Sequence, residues 1–342
     1  MTDTPYFERH PVLTLIGVTT ILLVALMALL EITLRFTLSY DIGYYSATKA
    51  EGRYEYPFGT ILINQDGYPD TEFDRSSSKT RIGYFGDSVT FGTGAGHGYR
   101  FSDILEKQYP QYEHWTFAMV NNGIQDMRIL DTAEEYALDT VIYAMNMNDI
   151  MPISADQAQQ TNLSKTRNWI YKYLDDLRGK SYLYTWIRTL GKNSLVRLGF
   201  GHMGFVAAEL KPTENLEIIE QVMQRINGAA TELRTRGIDF CLVLLPYEMQ
   251  ISQEAAATYK QLGINWEKGF LNGSTQTIIR SYFSGPHIYN GIEAFQDVHN
   301  PRTGEFFVYN KGDKIDFNHL NRAGHTLLAQ GFSNSKSCPV FK

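Results

Sequence analysis

The chain has 342 residues, 43% hydrophobic and 20% charged, a balance ordinary for a globular protein that excludes wholesale disorder. A formal net charge of −6 argues against nucleic acid as the main partner, because phosphate binding calls for a basic surface. Two cysteines are too few for a disulfide framework: Cys241 sits in the apolar run FCLVLLPY, where a small hydrophobe packs, and Cys338 falls in the C-terminal tail.

From Pro11 to Leu30 the sequence PVLTLIGVTTILLVALMALL carries no charge. That is about the length needed to cross a hydrocarbon core of roughly 30 Å. The run is longer than a typical signal-peptide core and no small-x-small cleavage site follows, so residues 1–35 read as an uncleaved single-pass anchor, with the bilayer as partner of residues 11–30. Arg9 before the run favours a cytoplasmic N-terminus, Arg35 beyond it counts the other way, and the positive-inside rule leans towards the first. The rest of the chain is then expected to be periplasmic or otherwise extracytoplasmic.

Residues 36–80, rich in tyrosine and glycine and ending in DRSSSK, read as a linker and entry segment without long periodicity. An α/β domain follows over 81–342. The runs TRIGYFG (80–86), WTFAMV (115–120), DTVIYAMN (139–146) and DFCLVLLP (239–246) have strand length and β-branched or aromatic content. Between the last two, Leu216, Ile219, Met223, Ile226, Ala230 and Leu233 recur at helical steps, and Gly237 stands where a C-terminal cap belongs. Strands alternating with helices imply a mostly parallel sheet covered on both faces.

Residues 155–212 interrupt that rhythm as an insertion. Its stretch 165–200 reads as two short amphipathic helices, in which Lys165, Arg167, Lys172, Arg178, Lys180, Arg188, Lys192 and Arg197 are interleaved with Trp169, Tyr173, Tyr184 and Trp186. Packing of the aromatic face on the domain, contact with a membrane interface, and a substrate lid all fit this pattern.

Chemistry gathers around RIGYFGDSVTFGTGAG, residues 81–96. In doubly wound sheets ligands bind beyond the carboxyl ends of the strands, which is where Ser88 stands. A serine hydroxyl needs a base, usually a histidine oriented by a carboxylate. KIDFNHLNRAGHTLLA supplies that pair as Asp316 and His319. The alternating glycines 92, 94, 96 and 98 match neither a P-loop nor a dinucleotide fingerprint, and read as a flexible loop at the rim of an acyl pocket, with His97 exposed within it. Asp316, His319 and His325 lack any metal-ligand spacing, so neither metal nor cofactor is expected; His325 begins the last helix.

Together, GDSVTFGTG, the Asn148-Asp149 pair after the third strand, and DFNHLNRAGH resemble the GDSL, or SGNH, hydrolases in the family's order. INQDGYPD resembles the N-x-x-G-[FY]-R-D entry segment of envelope-associated members, with Pro69 where arginine is common. The resemblance spans about residues 61–330. It implies a three-layer α/β/α sandwich around a mostly parallel, flavodoxin-like sheet, with Ser88, Asp316 and His319 as the triad. It also implies an oxyanion hole from the Ser88 backbone N–H, a backbone N–H of the second block, and the Asn148 amide. Here the sequence departs from the pattern. VNNGIQDMR puts Asp126 where the oxyanion glycine usually sits, unless a shifted alignment lets Gly123 supply the donor, and Asn146 replaces the usual glycine of the third block.

The expectation is therefore a membrane-anchored serine esterase or acyltransferase acting on ester-linked acyl groups, acetyl foremost, of an envelope glycan or lipid. The alternative is a non-catalytic SGNH-like module in an assembly with a membrane-protein partner, motivated by Asp126, Asn146 and the basic insertion.

Overall fold

The computed structural model describes residues 6–37, 51–56, 58–120, 124, 128–150, 174, 177, 180–198, 209–308 and 316–341. The uncharged N-terminal run forms helix α1, Pro11–Thr37, with no residue buried against the protein. At about 1.5 Å per residue its 27 residues are long enough to span a bilayer.

Two strands follow where the sequence suggested only a linker. β1 (Gly52–Tyr56) and β2 (Gly59–Ile63) pair antiparallel, Gly52 opposite Ile63. The exposed Arg53 and Glu55 of GRYEY hide an apolar alternation that lies mainly in β2, where Ile61 and Ile63 are buried.

The apolar runs form the central sheet: β3 (Arg81–Gly86), β4 (Glu113–Ala118), β5 (Thr140–Met145), β6 (Asp239–Leu244) and the three-residue β7 (Ile288–Asn290). All pairings are parallel, in the order β4-β3-β5-β6-β7. Counted within this sheet the order is 2-1-3-4-5, the flavodoxin-like arrangement, with its switch point between β3 and β5. Because side chains alternate across a strand, each continuous apolar run feeds two cores. Tyr84, Ile142 and Val243 face one side, where they meet α2 (Ser88–Phe91), α3 (Phe101–Gln108) and a C-terminal helix at Arg322–Ser335. Phe85, Tyr143 and Leu242 face the other. There they meet α4 (Ile129–Glu135) and, beyond α5 (Tyr182–Arg197), α6 (Leu216–Thr235), α7 (Gln253–Gln261) and α8 (Ser274–Tyr282). The C-terminal helix is α9. The fold is a three-layer α/β/α sandwich.

On α6 the predicted stripe is buried from Ile219 to Leu233, but Leu216 is 41% exposed at the helix's first position. Gly237 takes φ +76° just beyond the end of α6, a conformation that favours glycine. Of the two helices expected over 165–200, the second is α5; of the first, only residues 174 and 177 are described, both helical.

The expectation that Cys241 packs as a lone small hydrophobe is overturned. Cys241 and Cys338 form a disulfide that ties the middle of β6 to the C-terminal segment. Period-two alternation turns Cys241 to the α9 face of the sheet, where the returning tail places Cys338. Their separation of 97 residues gives no spacing signal, so only the tertiary fold makes them a pair.

The entry segment is fastened by a buried charge cluster. Asp70 accepts from the Thr116 N–H at 2.7 Å, closing a donor on edge strand β4. Arg100, fully buried, donates to Asp103 at 2.5 and 3.0 Å and to the Pro69 carbonyl. Burial pushes Asp103 up, but the Arg100 charge outweighs it and holds Asp103 below the usual carboxylate range. Asp70, 3.6 Å from the same guanidinium, is pushed up to about 7 by burial. One arginine thus keeps one carboxylate firmly ionised, and the second shares what remains.

Candidate active site

β3 ends at Gly86, where a Cβ would collide with the Thr90 hydroxyl and approach the Ala144 carbonyl. Only glycine lets the strand turn this sharply into α2. Asp87 caps α2, its Oδ1 accepting from the Val89 N–H at 3.0 Å, and Ser88 is the first helical residue. Ser88 therefore stands at the carboxyl end of a central strand beside the switch point, with a backbone N–H among the first-turn donors that have no acceptor within the helix.

The chain returns to this point 231 positions later. His319 Nε2 lies 2.8 Å from Ser88 Oγ, and His319 Nδ1 lies 2.8 Å from Asp316 Oδ2. The His319 backbone N–H also donates to Asp316 Oδ1 at 3.2 Å, so the three-residue spacing closes a small ring that fixes the imidazole. Burial pushes Asp316 up, but the charge and hydrogen bonds of His319 outweigh it and hold the carboxyl below its usual range. An ionised Asp316 accepts from Nδ1–H, which leaves Nε2 as the acceptor facing Ser88. Ser88 Oγ also lies 3.3 Å from Asp87 Oδ2, and the shorter contact to His319 favours the imidazole as the proton's destination.

Two groups that sequence reasoning missed hold the Asp316 segment. The Tyr259 hydroxyl lies 2.6 Å from the Asp316 carbonyl and 2.7 Å from Glu248 Oε2, and the Glu248 N–H donates to the Phe317 carbonyl at 2.8 Å. Both come from the chain after β6, and no local pattern links them to residues near the C-terminus.

The glycine loop is not the flexible rim expected. Residues 92–96 are all buried. A Cβ on Gly94, whose φ is +93°, would collide with the Leu320 carbonyl, next to His319. Gly96 packs on the backbone of Gly59 and Thr60, and the His97 N–H donates to the Thr60 carbonyl at 2.7 Å. The glycines therefore let the nucleophile segment, the β1–β2 hairpin and the His319 segment approach backbone to backbone. His97 is half-buried rather than exposed, its Nδ1 3.1 Å from Arg100 Nη2. Gly94→Ala is expected to cost about 1–3 kcal/mol in stability through backbone strain. It should also lower ester turnover by displacing His319; a melting temperature and turnover both equal to wild type would refute this close-packing account.

Beyond β5, a turn spans Met147–Asp149. Asn146 sits at φ −81°, ψ 150°, extended backbone that does not require glycine, and its Nδ2 donates to Asp87 Oδ2 at 3.3 Å. The Asn148 side chain also hydrogen-bonds the Asp87 carboxylate, which places it next to Ser88. Asp149 is buried, accepting from the Tyr143 hydroxyl at 3.0 Å and the Asn146 N–H at 3.1 Å. Gly123 and Asp126, the two candidates for the second-block donor, lie outside the described residues. Arg128, a conceivable partner for Asp126, pairs with Asp131 at 2.9 Å on the surface. His325 is buried in α9, its Nδ1 accepting from the Phe101 N–H at 3.1 Å. Burial pushes its pKa down to about 3, so it is a neutral packing histidine.

A serine on a strand-to-helix turn, a histidine within reach of its hydroxyl, and a carboxylate behind that histidine form a chain able to move a proton from Oγ to Nε2. The strand order, the turn and this chain coincide with the motifs read from the sequence. The structure thus brings together, on a flavodoxin-like three-layer fold, the three residues that the resemblance names as a triad.

Neither a protein-family model nor a curated protein matches the sequence. Among solved structures the chain is similar to a lipolytic protein of the G-D-S-L family from Desulfitobacterium hafniense DCB-2, with 12% identity, 76% of this chain and 99% of that one covered, and a TM-score of 0.38. It is also similar to the psychrotrophic esterase EstA from Pseudoalteromonas sp., at 10% identity, 75% and 96% coverage, and a TM-score of 0.36. A mutant of an acetyl-xylooligosaccharide esterase from Geobacillus Stearmophilus gives 15% identity, 75% and 94% coverage, and a TM-score of 0.36.

Proposed function

We propose that the protein is a membrane-anchored serine esterase or acyltransferase that moves a short acyl group, acetyl foremost, on an envelope glycan or lipid through an acyl-Ser88 intermediate. The observation that carries this reading is the unbroken line Ser88 Oγ, His319 Nε2, His319 Nδ1, Asp316 Oδ2, with both gaps at 2.8 Å.

In the first half-reaction Ser88 Oγ attacks the ester carbonyl and its proton passes to His319 Nε2. The charge on the tetrahedral oxygen falls to the Ser88 N–H, the Asn148 amide, and a backbone N–H from Gly123 or Asp126. One such donor is worth about 3 kcal/mol of barrier. His319 then returns the proton to the leaving alkoxide. In the second half, water or a sugar hydroxyl attacks the acyl-enzyme with His319 again as base, giving hydrolysis or transfer.

The envelope assignment is supported by helix α1 and by the Cys241–Cys338 disulfide, since disulfides persist in oxidising compartments outside the cytosol. Asn146, one motive for a non-catalytic module, sits in ordinary extended backbone and makes a polar contact beside Ser88.

The test is a fluorophosphonate probe on wild type and Ser88→Ala, together with turnover of aryl acetates. Wild type should label and turn over, and the variant should do neither. A folded wild type that neither labels nor turns over would refute the enzyme and leave an SGNH-like binding module.

A further inference from the structure

Helix α5 is amphipathic in the wrong sense for a helix on a water-soluble domain. Thr185 is buried and Thr189 half-buried on one side. Trp186, Ile187, Leu190, Leu195 and Leu198 are exposed on the other, Ile187 to 55% and Leu198 to 70%. Beyond residue 37, eight large hydrophobic side chains are exposed among the described residues, and five of them belong to this one segment. Isolated exposed apolar residues are commonplace, but a contiguous apolar face marks a surface that something covers.

The place where α5 begins identifies the covering. Glu31 is the first charged residue after the uncharged run of α1. Its Oε1 accepts from the Tyr182 N–H at 3.1 Å, and its Oε2 accepts from the Leu183 N–H and the Ser181 hydroxyl, both at 2.9 Å. The carboxylate at the end of the anchor therefore closes the N-terminus of α5, where backbone donors and the helix dipole favour an anion. Arg35, paired with Glu31 at 2.9 Å, donates to the Lys180 carbonyl at 3.1 Å and lies 5.4 Å from the Tyr182 ring centre. This fixes the first turn of α5 at the level where the uncharged part of α1 stops. Residues 15–30 of α1 are all exposed, so α5 does not double back along them.

We infer that α5 lies in the membrane interface, with Trp186, Ile187, Leu190, Leu195 and Leu198 in the boundary between headgroups and acyl chains and the exposed Lys180 and Arg188 among anionic headgroups. Amphipathic helices with aromatic and aliphatic residues on one side and cations on the other bind in this way. The sequence from 177 to 208 contains no acidic residue, while Lys180, Arg188, Lys192 and Arg197 fall within it, which complements an anionic lipid surface. The latch at Glu31 and the second membrane contact together would set the orientation of the SGNH-like domain over the bilayer. This inference rests on the reading of α1 as a bilayer span.

The test uses the full-length protein reconstituted into phosphatidylcholine/phosphatidylglycerol vesicles. Both native cysteines are tied in a disulfide, so a single introduced cysteine can carry an environment-sensitive fluorophore. Leu22→Cys reports on the span, Leu190→Cys on α5, and Leu216→Cys on an exposed site of the α/β domain. The label at 22 should be quenched by nitroxides deep on the acyl chains. The label at 190 should be quenched several-fold more by nitroxides near the headgroup than the label at 216, and be shielded from aqueous iodide. If the label at 190 is as open to iodide as that at 216 while 22 stays in lipid, α5 is not interfacial and the anchor stands. If 22 is itself open to iodide, the span fails, and the inference fails with it.

Discussion

Asp316→Asn is expected to lower kcat for aryl acetate hydrolysis about 10⁴-fold while leaving the fold intact. Asp316 Oδ2 is 2.8 Å from His319 Nδ1 and Oδ1 is 3.2 Å from the His319 N–H. Asparagine keeps the size of the side chain and can retain the backbone bond through its oxygen. Its amide then presents N–H to Nδ1, which favours the tautomer protonated at Nε2. In that tautomer Nε2 donates towards Ser88 Oγ, 2.8 Å away, and cannot take its proton. The stabilising carboxylate charge is lost as well, and it is a charge the site works to keep, since His319 holds Asp316 below its usual range against the effect of burial. Because Asp316 titrates low, its ionised form also adds to the stability of the fold at neutral pH, a contribution lost as pH falls through its depressed folded pKa and absent from the still-folded variant. Steady-state turnover and a thermal melt of the same preparation check the prediction. A loss smaller than tenfold with an unchanged melt would mean that Asp316 does not orient the base, and Asp87, 3.3 Å from Ser88 Oγ, would become the carboxylate to test.

Where the sequence was legible, short-range pattern and local chemistry agreed with the global fold. β3 to β6 announce themselves as buried apolar runs, α6 as a helical stripe, and the two outer site blocks as motifs whose Ser88 and His319 meet beyond the end of β3. Where it was not, the information is carried by contacts between distant segments. β7 has three residues, too few to show a period, and β1 spends its alternation on charged and aromatic residues. Asn146 reads as a defect until its backbone is seen at φ −81° and its amide at Asp87. Tyr259 and Glu248 hold Asp316 from 57 and 68 positions away, where no motif could connect them. The glycine loop was misjudged for the opposite reason. Its composition signals freedom, but Gly94 and Gly96 hold positive φ angles where neighbouring backbones crowd the place of a Cβ.

Cys338→Ser is expected to destabilise the α/β domain by about 4–5 kcal/mol. The bond closes a loop of 97 residues, and cross-linking a loop near 100 residues removes about that much chain entropy from the unfolded state. Its two ends lie in the core beside α9, each 1% exposed, so the folded state gives up little by holding them together. For a domain of this size the change corresponds to roughly 10 °C in melting temperature. Reductant should lower the melt of wild type by a similar amount and leave that of Cys338→Ser unmoved. Equal melts of wild type with and without reductant would remove the disulfide from the stability of the fold. The same residues also test the proposed orientation. If the domain lies outside the cytosol, protein taken directly from cells into denaturant and maleimide should show neither thiol. Two free thiols would instead place the domain in a reducing compartment, with α1 inserted in the opposite sense.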